Sequence, residues 1–122
     1  MSLAPRARVI LVMRQPGNAR VLGEAVAEIG MEGVGVSSEA ALREALASDT
    51  QARSALVDVS GFGQNVWTMC ALLQSHDIPF VVLSTSRDAA AGNRTLEYGA
   101  ASVLQKPVAK SALLSLMRNL EA

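Results

Sequence analysis

Polar side chains that can act together stand at the ends of several apolar runs. Asp58 interrupts the run Ala55-Leu56-Val57 and Val59. Ser84, with Thr85 behind it, follows Phe80-Val81-Val82-Leu83. Lys106 follows Ala101-Ser102-Val103-Leu104 and Gln105, and Arg14 follows Val9 to Met13. A carboxylate at the boundary of a dry core needs a partner. Lys106 and Arg14 are both candidates. Two chemistries fit. One is a structural ion pair that ties strand ends together. The other is a nucleophilic or phosphoryl-accepting carboxylate, with the Lys106 ammonium on a phosphoryl oxygen and Ser84 donating to the same group. The bare residue types lean slightly toward the ion pair. No one of these residues is specific alone, and their shared place at consecutive strand ends is the signal.

Elements of definite kind are needed to bring them together. Val9 to Met13 is a continuous apolar run, as are Ala55 to Val59 and Phe80 to Leu83. Runs without alternation suit strands covered on both faces. Gly33 to Val36 and Ala101 to Leu104 are shorter strands of the same kind. Between them lie helical patterns. Val21, Leu22, Ala25, Val26 and Ile29 trace one face of a helix from about Asn18, with Gly30 as its C-cap. Ser38 is an N-cap for a second helix carrying Ala41, Leu42, Ala45 and Leu46. A third runs from about Asn65 to Ser75, a fourth from Ala89 to Tyr98, and a last from Val108 to Leu120. Asp88 suits the positive end of the fourth. Strand and helix alternate five times, which calls for right-handed crossovers and a parallel sheet with helices on both faces. Sites in such sheets lie beyond the C-terminal strand ends. Asp58, Ser84 and Lys106 are all there.

The totals exclude much else. The chain has 122 residues, enough for a single domain with a core over about 8–120. Residues 1–7 read as a flexible N-terminus or as vector-derived. Eleven basic and eleven acidic side chains cancel, so nothing points to nucleic acid as a direct partner. No apolar run approaches the roughly 20 residues of a membrane span, and no signal-peptide pattern follows the first arginines. Cys70 is the only cysteine, which rules out an internal disulfide and suits a reducing, cytoplasmic setting. It reads as a buried thiol. His76 is the only histidine, so no His-based relay or metal site forms, and it reads as exposed or capping. Trp67 reads equally as core or contact surface. No Gly-rich phosphate loop follows the first strand.

The chain resembles the response-regulator receiver domains, the family that includes the bacterial chemotaxis response regulator. The resemblance spans about Arg8 to Leu120. It rests on Val9-Ile10-Leu11-Val12, on Ala55-Leu56-Val57-Asp58-Val59, and on Ile78-Pro79-Phe80-Val81-Val82-Leu83-Ser84. The most specific match is Glu97-Tyr98-Gly99-Ala100-Ala101-Ser102-Val103-Leu104-Gln105-Lys106-Pro107-Val108. It implies a flavodoxin-like, doubly wound α/β fold. A five-stranded parallel sheet in the order 2-1-3-4-5 lies between five helices in a three-layer sandwich. It implies a role in two-component phosphorelay signalling without enzymatic turnover. Asp58 matches the phosphoacceptor, Ser84 the hydroxyl that contacts the phosphoryl group, and Lys106 the family's lysine. Implied partners are a histidine kinase, a phosphotransfer protein or an output domain. A homodimer through the face of the fourth helix, fifth strand and fifth helix is also implied.

The departures are as specific as the matches. The acidic pair that binds Mg²⁺ in the family falls on Met13 and Arg14, and the aromatic switch position falls on Val103. Val59-Ser60-Gly61-Phe62 lacks the family's Met-Pro feature. A hard divalent cation wants carboxylate oxygens, and Asp58 alone is a poor site. The expectation is therefore an atypical receiver or pseudo-receiver without metal, impaired in Mg²⁺-dependent phosphorylation of Asp58, with Arg14 and Lys106 holding the pocket in a fixed state. An ordinary phosphoacceptor receiver, or a small enzyme or nucleotide-binding domain of the same architecture, is the alternative.

Overall fold

The computed structural model describes residues 7–48 and 52–121. Of the expected N-terminal segment, residues 1–6 lie outside the described residues. Ala7 is already tied in, its carbonyl accepting the Glu32 N–H at 3.0 Å. The elements are β1 (Arg8–Val12), α1 (Pro16–Ala27), β2 (Glu32–Val36), α2 (Glu39–Ser48), β3 (Ala52–Asp58), α3 (Asn65–Ser75), β4 (Phe80–Ser84), α4 (Ala89–Arg94), a single 3-10 turn (Thr95–Tyr98), β5 (Ser102–Gln105) and α5 (Lys110–Glu121). The strands pair in parallel in the order β2-β1-β3-β4-β5, the expected order.

Both faces of the sheet are buried, which is why its strands read as unbroken apolar runs. Val9, Leu11, Leu56, Val81 and Leu83 face α1 and α5, where they meet Val26, Leu113 and Met117. Ile10, Val12, Val57, Phe80 and Val82 face α2 and α3, where they meet Leu42, Met69 and Leu73. The period-2 alternation of a strand thus sorts one apolar run into two separate cores.

Caps behave as the residue types require. Ser38 Oγ accepts the Ala41 N–H at 3.1 Å at the start of α2. Gly30, with φ of 80°, takes the left-handed position after α1, and the Met31 N–H returns to the Val26 carbonyl.

Several boundaries differ from the sequence-based expectation. The first helix begins at Pro16, two residues earlier, because proline is tolerated at the first helical position. The last begins at Lys110, beyond Pro107. The expected helix from Ala89 to Tyr98 is a short α4 followed by the 3-10 turn. There the Thr95 hydroxyl bonds back to the Gly92 carbonyl and tightens the chain. Val21, expected on the buried face of α1, is 63% exposed. The stripe narrows there because α1 leans on the sheet through Ala25 and Val26.

Candidate functional site

The chain crosses from β1 to β2 on one side and returns to β3 on the other, so the strand order switches direction between β1 and β3. Crevices in open parallel sheets form at that point. Asp58 ends β3 beside it, and Met13 and Arg14 leave β1 beside it.

Asp58 is 3% exposed. It alternates with Val57 and so shares the α1/α5 face with Leu56. Both of its carboxylate oxygens are occupied. Lys106 Nζ donates to Oδ2 in a close ion pair, and the Ser60 N–H donates to Oδ1 at 3.0 Å. Lys106 is itself anchored, its backbone N–H bonding the Ser84 carbonyl at 2.7 Å. The Lys106–Pro107 peptide is cis. Its side chain is 28% exposed, so the pair sits at the boundary of the dry core rather than within it. Asp58 and Lys106 lie at the base of a cleft of about 520 Å³ between α1 and α5, walled by Leu22, Ala25, Leu83 and Leu113. An ion pair from Lys110 to Glu28 bridges the two helices.

Of the two cations offered by the sequence, Lys106 is the partner. Arg14 is exposed and makes no ion pair among the described residues. Its aliphatic stem lies against the loop after β3, where a Cβ on Gly61 would fall 3.2 Å from Arg14 Cγ. The expected pairing of Arg14 with Asp58 is thus not formed, because the stem is held under that loop. Met13 is buried at 2% exposure in the α1/α5 core, its N–H bonded to the Val36 carbonyl at 3.0 Å. Among the described residues no cluster of three or more His, Cys, Asp or Glu is placed to hold a metal.

Ser84 ends β4 and is buried. The register pairs Asp58 with Leu83, and Ser84 is one residue on, so alternation sets its Cβ on the opposite face. There it lies under α4. A Cβ on Gly92 would fall 2.5 Å from Ser84 Oγ, 2.7 Å from Ser84 Cβ and 3.5 Å from Val103 Cγ1. Asp58 and Lys106 therefore meet, while Ser84 and Val103 both lie beneath Gly92 of α4.

A second polar group adjoins the pocket. Asp88 Oδ2 accepts the Thr85 hydroxyl at 2.9 Å and the Ser60 hydroxyl at 3.2 Å, and the Asp88 N–H donates to Thr85 Oγ1 at 3.3 Å. Sequence reasoning placed Asp88 at a helix start but missed its role between two loops. The spacing Thr85-x-x-Asp88 is that of a capping box and was the available signal. The contact with Ser60 has no local signal.

Trp67 is half-buried and stacks on Tyr98, with centroids 5.2 Å apart and planes at 22°. The Arg94 guanidinium lies 5.2 Å from its ring centroid, so Trp67 joins α3 to α4 and the turn after it. His76 is exposed at the end of α3 and bonds Leu72 O through Nδ1 at 3.0 Å. Burial pushes the Cys70 thiol up to about 12.

No family model matches the chain, and no curated protein does. Solved structures do. A response regulator from Thermotoga maritima superposes with a TM-score of 0.79 at 17% identity, over 96% of this chain and 98% of that one. A response regulator receiver protein from Pseudomonas putida gives 0.82 at 19% identity, over 96% and 99%. The signal receiver domain of a signal transduction histidine kinase from Syntrophus aciditrophicus gives 0.74 at 25% identity, over 94% and 89%. The chain has the fold of the response-regulator receiver domains, with a carboxylate–ammonium pair at the C-terminal ends of its strands.

Proposed function

We propose that this chain is an atypical receiver domain of two-component signal transduction, working in the cytoplasm by protein–protein contact. The observation that carries the reading is the Asp58–Lys106 pair at the switch point of a receiver-type sheet, with Met13 and Arg14 on the positions where the family carries its metal-binding carboxylates. Asp58 stands at the family's phosphoacceptor position and Lys106 at that of its lysine, while Ser84, at the position of the phosphoryl-contacting hydroxyl, lies against Gly92 of α4.

Mg²⁺ does not fit this donor set. A hard cation prefers several oxygen ligands. Beside Asp58 the chain offers a buried thioether at Met13 and a guanidinium at Arg14. Lys106 already neutralises the carboxylate. Phosphoryl transfer to Asp58 therefore lacks the charge stabilisation on which such reactions depend. The domain then acts through its surfaces. The partner is a histidine kinase, a phosphotransfer protein or an output domain, and the face of α4, β5 and α5 is the contact surface, open also to a second copy.

The experiment is mass spectrometry of the chain after incubation with a small acyl phosphate, with and without Mg²⁺. No Mg²⁺-dependent gain of a phosphoryl group at Asp58 is expected in the wild type, and a gain is expected after Met13→Asp with Arg14→Asp. Rapid Mg²⁺-dependent phosphorylation of the wild type would establish the ordinary phosphoacceptor instead.

A further inference from the structure

The cleft between α1 and α5 holds more than the ion pair at its base. Its volume of about 520 Å³ lies within the range of about 300–1,000 Å³ typical of cavities that take small molecules. Its walls are mostly apolar, with Leu22 and Ala25 from α1, Leu83 from β4 and Leu113 from α5. Val21 lines it too and is 63% exposed, one of two large apolar side chains left so open among the described residues.

The polar groups that line the cleft are Asn18, Asp58, Lys106 and Lys110, so two ammoniums stand against one carboxylate. Asp58 is already met by Lys106 and by the Ser60 N–H. The Lys106 ammonium has three N–H donors. One goes to Asp58 Oδ2, and among the described residues no other acceptor meets it. Lys110 pairs with Glu28, which lies outside the lining, and both side chains of that pair are more than half exposed. An exposed pair of this kind contributes little, so Lys110 can turn to another anion at small cost.

We propose that the cleft binds a small organic monoanion: an apolar carboxylate whose body lies between α1 and α5 and whose head accepts hydrogen bonds from Lys106 and Lys110. The proposal goes beyond the receiver reading and does not rest on it, since it needs neither a metal nor a phosphoryl group on Asp58.

The lining selects this class in three ways. Apolar walls favour an apolar body in proportion to the area removed from water. Ammonium-to-carboxylate hydrogen bonds are charge-assisted and stronger than neutral ones. The excess of a single positive charge favours one negative charge on the ligand. A dianion would leave a charge unmatched beside Asp58, and a cation would meet two ammoniums.

Decanoate, kept below the concentration at which it forms micelles, is the probe. It is titrated into the whole chain and followed by calorimetry and by amide ¹H–¹⁵N spectra. A single site is expected. The amides of Leu22, Ala25, Val108 and Leu113 are expected to shift, while those of Leu42 and Met69, in the core on the other face of the sheet, stay in place. Decylammonium has the same body with the opposite charge, and acetate has the head without the body. Each is expected to bind at least about tenfold more weakly. Lys110→Gln, at an exposed position, is expected to weaken decanoate about tenfold and to leave the weaker binding of 1-decanol unchanged. Val21→Glu, also at an exposed position, is expected to abolish decanoate binding, with thermal melts verifying that both variants are folded. Absence of decanoate binding, equal binding of decylammonium, shifts confined to other elements, or a Lys110→Gln variant that binds decanoate as the wild type does would overturn the proposal. So would shifts of the same α1 and α5 amides with protein concentration alone, which would assign the cleft to a second copy of the chain. None of these outcomes bears on whether Asp58 gains a phosphoryl group, so the two readings fail separately.

Discussion

Asp58 is a carboxylate nearly closed off from water, and its charge is met by one ammonium and one N–H. Removing one partner of a buried pair is costly because the other charge is left without compensation. Lys106 is partly exposed, so water recovers some of that cost. Lys106→Met is expected to lower stability by roughly 2–3 kcal/mol. Adding Asp58→Asn should restore part of the loss, since an amide needs no counter-charge. Urea unfolding of the single and double variants measures this coupling. Cys70 gives a pH-dependent prediction. The folded thiol keeps its proton up to about 12, while the unfolded thiol releases it near 9.0. Between those values the unfolded state binds fewer protons, so stability falls as pH rises, by about 1.4 kcal/mol per unit. Cys70→Ala removes that slope and leaves the titration of every other group in place. Denaturant midpoints of the two proteins are expected to draw together between pH 9 and pH 10 as the wild type weakens faster. The candidate status of Asp58 and Lys106 was legible because each breaks or follows an apolar run. The choice of Lys106 over Arg14 was not, because both follow a strand and only the packing of Gly61 on the Arg14 stem separates them.

At the scale of elements, α4 shows how a close approach overrides local preference. Alanine is favoured over glycine in a helix by about 1 kcal/mol. At Gly92 a Cβ would lie within 2.7 Å of two Ser84 atoms, and Ser84 is buried in strand β4. Gly92→Ala is therefore expected to destabilise the domain by about 1–3 kcal/mol. Gly17, in the first turn of α1, has no neighbour within 4 Å of the same added atom. Gly17→Ala is expected to stabilise by about 0.5–1 kcal/mol. Thermal unfolding of the two variants should give shifts of opposite sign, and a stabilised Gly92→Ala would show that α4 is not seated on β4 as described. The run Ala89-Ala90-Ala91-Gly92-Asn93-Arg94 carries no large apolar side chain. The sequence does not announce that this poverty lets the helix close onto Ser84, because the contact pairs residues from two separate elements.

At the scale of the molecule, the sheet divides the interior into two cores that share no side chain. Met69 is fully buried on one side and Met117 on the other. Each truncation to alanine is expected to cost about 2–5 kcal/mol. With the sheet between them, the two losses should add to within about 0.5 kcal/mol. Chemical denaturation of both single variants and the double one tests this. A large departure from additivity would mean that the sheet transmits repacking between its faces. Among the described residues no helix is long and apolar enough to cross a membrane.

The sequence by itself determined the alternation of five strands and five helices, their parallel pairing, and the rim that gathers Asp58 and Lys106. These depend on periodicity, on turn residues and on the handedness of the chain, all of which are local or general. The tertiary structure decided which cation meets Asp58, that Ser84 lies against Gly92, and that Ser60 reaches Asp88. Those outcomes rest on distances between side chains far apart in the chain, fixed only when strand register and helix seating are set together.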